Sequence, residues 1–336
     1  MDILPPIGEL STKEKEIKLK DEFQKIAKDK VKEIGSFIFS EEAIIRLQKL
    51  DSNLSNKNYV LLEGPTGSSK TKTVQIYCKI KGLELVQFNM SGETSEDDLK
   101  GRILSDETSF SGFKYIKGHF SDAFINGKIL LLDEINLANQ SVLNFIANTL
   151  DSQILIIDQD ENTDGGHIFK MHENFRLIAT QNPNDSSFIC KRGELPEKLL
   201  QQLNVIYFPS MEKEELKYIA TEIAKQNGYE DENIVKGITE LHYDWTKSEN
   251  VKDSPQCFTI RDINNIIKSI SKKDNPDSPF DSLMCFYGMR YQPEKRQIFP
   301  NLIIEKKIPR KEKEYIFLEE KYKNCYPFLS LQKAAK

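Results

Sequence analysis

Three short stretches of this chain carry residue types that could do chemistry together. The first is Gly64-Pro65-Thr66-Gly67-Ser68-Ser69-Lys70-Thr71-Lys72. A glycine-rich turn ending in lysine and a hydroxyl residue, set between an apolar run and a helical stretch, has the arrangement of a phosphate-binding loop. Successive backbone N–H groups in such a turn form an anion-binding concavity, and the helix N-terminus behind it adds positive potential. Gly64 through Lys72 would line the phosphates, with Lys70 on the outer ones and the Thr71 hydroxyl on a magnesium ion. The usual spacing is G-x-x-x-x-G-K-[ST]. Here Ser69 stands where the last glycine is expected, and Gly67 is additional. A serine at that point needs a backbone shape that a side chain tolerates. The alternative, a chance Gly/Ser turn, is outweighed by the strand pattern before the loop and the helix pattern after it.

The second stretch is Ile129-Leu-Leu-Leu-Asp133-Glu134. An apolar run ending in two carboxylates is a buried strand that delivers acids to the crevice at its C-terminal end. In that setting Asp133 holds magnesium and Glu134 polarises an attacking water. Alone, the pattern would read better as a strand running into a solvated acidic turn. Its pairing with the loop at 64–72 reverses that preference. The third stretch is Ala179-Thr-Gln-Asn182-Pro183, where a polar amide could sit between a terminal phosphate and the two carboxylates. By itself, Asn-Pro after a strand is an ordinary turn.

These residues need a sheet to hold them. Tyr59–Leu62, Leu85–Asn89, Lys128–Leu132, Phe175–Thr180 and Val205–Phe208 read as short buried strands. Helical patterns alternate with them: 70–81, a capped start at Ser95, a segment ending at Gly127, a helix through Leu143 and Leu150, and Leu195–Leu203. Ile154–Ile157 and His167–Met171 flank a polar stretch and predict a hairpin. Strands alternating with helices predict an α/β fold, a P-loop three-layer sandwich around a mostly parallel sheet. After Pro209 strand patterns stop. Leu216, Ile219, Ala220 and Ile223 form one helical stripe, Ile260, Ile263, Ile267 and Ile270 another, and helix is expected around Phe280–Tyr291. The domains expected are therefore a charged helical extension at 1–39, a nucleotide-binding core at 40–209, an all-α lid at 210–300 and a C-terminal extension at 301–336.

Composition narrows the classes. The chain has 336 residues, 38% hydrophobic and 29% charged, which is enough for a sizeable core. A net charge of −5, with no basic stripe interleaved with aromatics, argues against a nucleic-acid partner. No apolar run reaches the ~18 residues of a membrane helix, and the start shows no secretory pattern. Cys78, Cys190, Cys257, Cys285 and Cys325 lie far apart, and His119, His167, His172 and His242 form no ligand spacing with them. Reduced thiols in an intracellular protein, nuclear or cytoplasmic, are expected, and no structural zinc.

Taken in order, Leu61-Leu-Glu-Gly-Pro-Thr-Gly-Ser-Ser-Lys-Thr71, Leu130-Leu-Leu-Asp-Glu-Ile-Asn-Leu-Ala138 and Ile178-Ala-Thr-Gln-Asn-Pro-Asn184 resemble the dynein-related branch of AAA+ ATPases. Within it they look most like the modules of the midasin family, which serve ribosome maturation. Phe113-Lys-Tyr-Ile-Lys-Gly-His-Phe-Ser-Asp-Ala-Phe124 and Phe258-Thr-Ile-Arg261-Asp-Ile263 add to the resemblance, which covers about residues 40–300. It implies ATP hydrolysis with Mg2+, the ATPase reaction driving remodelling of a protein or ribonucleoprotein partner. It also implies other AAA+ modules as neighbours in a ring. By the same resemblance Asn182 is the first sensor and Arg261 the second, contacting the γ-phosphate from the lid. A nearly equal reading of Arg261 is a surface arginine of the lid paired with Asp262 or a nearby acid. Gln202 stands where the family places an arginine finger, which implies either that this module does not activate a neighbour or that Lys198 or Arg192 substitutes. Ser69 and Gln202 keep a second function open: a nucleotide-gated binding module with little turnover.

Overall fold

The computed structural model of the chain describes residues 37–56, 58–105, 113–157, 167–183, 193–247, 258–272, 277–290 and 299–308. Most of the helical extension expected at 1–39 and most of the C-terminal extension lie outside them. The chain divides into two compact units, residues 1–210 and 211–336.

In the first unit the chain runs α1 (Glu41–Asn56), β1 (Tyr59–Glu63), α2 (Lys70–Lys81), β2 (Leu85–Asn89), α3 (Glu96–Lys100), β3 (Gly101–Ser105), β4 (Phe113–Lys117), α4 (His119–Asn126) and β5 (Ile129–Asp133). A single 3-10 turn at Ile135–Leu137 leads into α5 (Gln140–Ser152), β6 (Ile154–Ile157), β7 (His167–Lys170), β8 (Arg176–Gln181), α6 (Glu197–Gln202) and β9 (Asn204–Tyr207). Five strands form one parallel sheet in the order β2-β5-β8-β1-β9. The register aligns the strand ends: Asn89 lies opposite Asp133, and Glu63 opposite both Gln181 and Tyr207.

Side chains on these strands alternate between two apolar layers, because successive residues of a strand point to opposite faces. Leu61, Leu130, Leu132, Leu177 and Ala179 join Phe120 and Phe124 of α4 and Leu143 and Ile146 of α5 on one face. Val60, Leu62, Ile129, Leu131 and Ile178 join Leu47 and Leu50 of α1 and Val74 and Ile76 of α2 on the other. A strand buried on both faces has no polar side to show, which explains the unbroken run Ile129–Leu132. The unit is the expected three-layer α/β sandwich. β6 and β7 form the expected antiparallel hairpin. A second hairpin, β3–β4, was not anticipated. The helix over Glu96–Lys100 starts on a capping box, with Ser95 and Asp98 each accepting the other's backbone N–H.

The described residues of the second unit are helical: α7 (Lys213–Gln226), α8 (Glu232–Lys247), α9 (Ile260–Ile270), α10 (Pro279–Phe286), a 3-10 turn at Gly288–Arg290 and α11 (Phe299–Glu305). Ile238, Leu241, Trp245, Ile266, Leu283, Tyr287, Phe299 and Ile303 build their own core. The Cys78 and Cys285 side chains are buried. No helix among the described residues is long and apolar enough to cross a membrane.

Candidate functional site

The loop after β1 turns sharply into α2. Gly64 has to be glycine for a packing reason: a Cβ there would lie 2.1 Å from the carbonyl oxygen of Phe208, just beyond β9. Gly67 takes a positive φ of 86°. Ser69 caps α2 in the left-handed region, at φ 66° and ψ 20°, and its side chain makes no capping bond. The missing glycine is thus a conformational deficit, since a left-handed residue with a Cβ costs about 1–2 kcal/mol. Ser68 is buried and donates to the Pro65 carbonyl at 2.8 Å. Thr66 and Lys72 are exposed.

Lys70 is buried, with 7% of its surface exposed, so its ammonium must be compensated locally. It donates to the carbonyls of Gly64 at 2.7 Å and Pro65 at 2.9 Å, and to Asn182 Oδ1 at 2.8 Å. Asn182, itself buried, donates through Nδ2 to Glu134 Oε1 at 3.2 Å. One amide therefore links the loop lysine to the second carboxylate. The Thr71 hydroxyl lies 2.9 Å from both oxygens of Asp133. Parallel pairing explains this convergence: α2 begins above β1, Asp133 ends β5, and Asn182 follows β8, which lies between them in the sheet.

Two residues of this site were not picked out from the sequence. Thr180, 1% exposed, accepts the Glu134 N–H on its hydroxyl at 3.0 Å and donates to Asp133. The Asn136 side-chain amide donates to the Asn182 backbone carbonyl at 3.0 Å, while the Asn136 backbone carbonyl accepts the Gly193 N–H at 2.8 Å. Both lie inside the motifs that carried the resemblance. The sequence signal was there, but strand and turn positions do not by themselves say which way a hydroxyl or an amide points.

Gly64 through Lys72, Asp133, Glu134 and Asn182 come together at one edge of the sheet. Arg261 does not belong to that constellation's unit; it lies exposed in the first turn of α9. Its alternative pairing with Asp262 is replaced: Asp262 is ion-paired with Arg290, which also stacks on the Phe258 ring at 4.8 Å. Asp262 has another task as well, accepting the Thr259 N–H at 2.7 Å in the capping box of α9. Gln202, at the end of α6, donates to the Ala147 carbonyl of α5 at 3.1 Å. Lys198 is engaged by Asp151 at 2.9 Å. Arg192 lies outside the described residues.

The donor set also bears on a metal. A threonine hydroxyl and one carboxylate are hard oxygen ligands, which suit magnesium. No group of three or more His, Cys, Asp or Glu side chains that could cage an ion exists among the described residues.

The family model of the AAA domain, dynein-related subfamily, matches residues 59–203, from β1 to the end of α6. Midasin of Dictyostelium discoideum is 27% identical over 252 residues, which is 71% of this chain but 4% of that protein. The chain thus spans a small fraction of the midasins it matches. An uncharacterized protein of Staphylococcus epidermidis is 31% identical over 211 residues, covering 61% of this chain and 75% of its own length. Among solved structures, NtrX from Brucella abortus in complex with ADP aligns with a TM-score of 0.48 at 19% identity, over 74% of this chain and 54% of that one. With its loop, paired carboxylates and amide lying inside the matched span, the chain belongs to the dynein-related subfamily of AAA domains.

Proposed function

We propose that this chain binds ATP with Mg2+, hydrolyses it, and uses the cycle to remodel a protein or ribonucleoprotein partner beside other AAA modules. The observation that carries the reading is the hydrogen-bonded line from Lys70 through Asn182 to Glu134, with Thr71 on Asp133 next to it. A γ-phosphate would exchange places with the oxygens now held by Lys70. Asn182 would then report phosphate occupancy to Glu134, the group placed to polarise water. Magnesium, when bound, would neutralise charge on the phosphate oxygens, and Thr71 and Asp133 are the residues that would hold it. Catalysis by such a site is positioning plus electrostatic stabilisation. Arg261 is proposed as a phosphate ligand on the family resemblance, and its exposed guanidinium is compatible with that role.

One observation favours a second reading, a nucleotide-gated module with little turnover. Gln202 cannot supply a cation where an arginine finger is expected, and its amide is tied to α5. Steady-state phosphate release across a protein concentration series separates the two. Turnover that rises with assembly and is abolished in Lys70→Ala and Glu134→Gln supports hydrolysis. Tight ATP binding with no turnover at any concentration supports the gated module.

A further inference from the structure

We infer that the Thr180 hydroxyl is a positioning residue that sets both carboxylates of the site, acting on Asp133 directly and on Glu134 through its backbone. The inference rests on the functional reading above. Thr180 is fully enclosed in β8, a strand with neighbours on both sides. Its one hydroxyl is used twice: it donates to Asp133 and accepts the N–H of Glu134 at 3.0 Å.

Each half of that arrangement has a physical consequence. Asp133 receives two hydroxyls, from Thr180 and from Thr71. Were the Thr71 hydroxyl given over to a magnesium ion, Thr180 would be the hydroxyl left to keep the carboxylate oriented. Outer partners of a ligating carboxylate tune metal affinity in this way. Glu134 is a non-glycine residue in the left-handed region, at φ 56° and ψ 48°. Strain of that kind persists only where the surroundings over-determine it. The bond from its N–H to Thr180 is such a constraint, fixing the peptide that aims the Glu134 side chain toward Asn182. Sequence alone offers the threonine as a β-branched strand former, a role that valine would fill equally well.

The test compares Thr180→Val with Thr180→Ser, by titrating a fluorescent ATP analogue against magnesium and by measuring phosphate release. Valine keeps shape and removes both bonds; serine keeps the hydroxyl. Thr180→Val should need about tenfold more magnesium for half-maximal tightening of nucleotide, since loss of a hydrogen-bond partner behind a ligating carboxylate costs about 10–100-fold. Turnover at saturating magnesium should fall about 10–100-fold, the loss expected for a charge-assisted hydrogen bond. Nucleotide affinity in chelator should stay within about twofold, since Lys70 and the loop are untouched, and serine should restore both readouts. A merely structural role would lower the melting temperature and leave the magnesium midpoint alone. A valine variant with a wild-type midpoint and turnover overturns the inference, as does a serine variant no better than valine. Should valine fail to fold, Thr180→Ala takes its place. Should the wild type bind nucleotide without hydrolysing it, the hydrolysis reading falls, and the magnesium midpoint alone decides for or against Thr180.

Discussion

Replacing Asn182 by aspartate changes one atom type and one charge in the middle of the site. Its Oδ1 is 2.8 Å from Lys70 Nζ and its Nδ2 is 3.2 Å from Glu134 Oε1. With an effective dielectric of ~20, the new carboxylate would gain about 6 kcal/mol of attraction to Lys70 and about 5 kcal/mol of repulsion from Glu134. The two nearly cancel, so the fold should survive with little change in melting temperature. They do not cancel for the ligand. A phosphate must now take Lys70 from a carboxylate and approach a negative charge, and both effects weaken binding. If a quarter to a half of the pair attraction survives screening, nucleotide affinity falls about 10–100-fold. Turnover falls as well, because Glu134 exchanges a donor for a repelling neighbour. Asn182→Ala removes the amide without adding charge. It should lose turnover while binding nucleotide within about fivefold of wild type, the cost of one modest contact. Fluorescent-nucleotide titration and phosphate release on the three proteins read both quantities. An aspartate variant that binds and hydrolyses like wild type would show that Asn182 does not stand between Lys70 and Glu134 in the working protein.

Gly64→Ala should destabilise the first unit by about 2 kcal/mol or more, because its Cβ meets backbone rather than a movable side chain, and thermal melting checks this. Arg290→Gln should cost about 3 kcal/mol in urea unfolding of the second unit, by stranding a buried Asp262 carboxylate. His242 is held neutral by burial, down to about 4, with Asp262 opposing and Arg290 adding to the shift, and its Nδ1 meets the Tyr287 hydroxyl. The unfolded chain therefore binds the proton first, and stability should decline as pH falls from about 6.5 toward about 4, by about 3 kcal/mol at most. Denaturant melts at pH 7, 6 and 5 should show the decline, and His242→Gln should flatten it.

Much of the first unit is legible because apolar pattern and position agree there. Ile129–Leu132 is apolar throughout because it is buried on both faces, and 70–81 is marked at both ends by the loop lysine and by Gly82. The hairpin β3–β4 escaped because Gly101–Ser105 lacks a clean alternation and is stabilised chiefly by its partner strand. The helix over Glu232–Lys247 carries its apolar stripe at Ile234, Ile238, Leu241 and Trp245, a pattern that interspersed charges obscure in the sequence. In the site, the lysine, threonine and acids stand out as residue types at a known spacing. Thr180 and Asn136 do not, since their roles depend on the direction of single hydrogen bonds. Asp262 illustrates the same limit: an adjacent arginine was an obvious partner in sequence, yet the capping box turns its carboxylate to Arg290.

The strand order has a consequence for biosynthesis. β1 is laid down before both of its hydrogen-bonding partners, β8 and β9: Val60 pairs with Ile178 and Asn204. β2 and β5 also lack a seam to β1 until β8 is inserted between them. At ribosomal rates of roughly 5–20 residues per second, the loop lysine waits on the order of ten seconds for the strand that carries its amide partner. During that interval the emerging β1 is an apolar segment with neither edge paired, and a nascent chain stalled before residue 204 exposes it to aggregation or to chaperones. The nucleotide pocket is thus completed only once β8 has emerged, although the loop it completes precedes that strand in the chain.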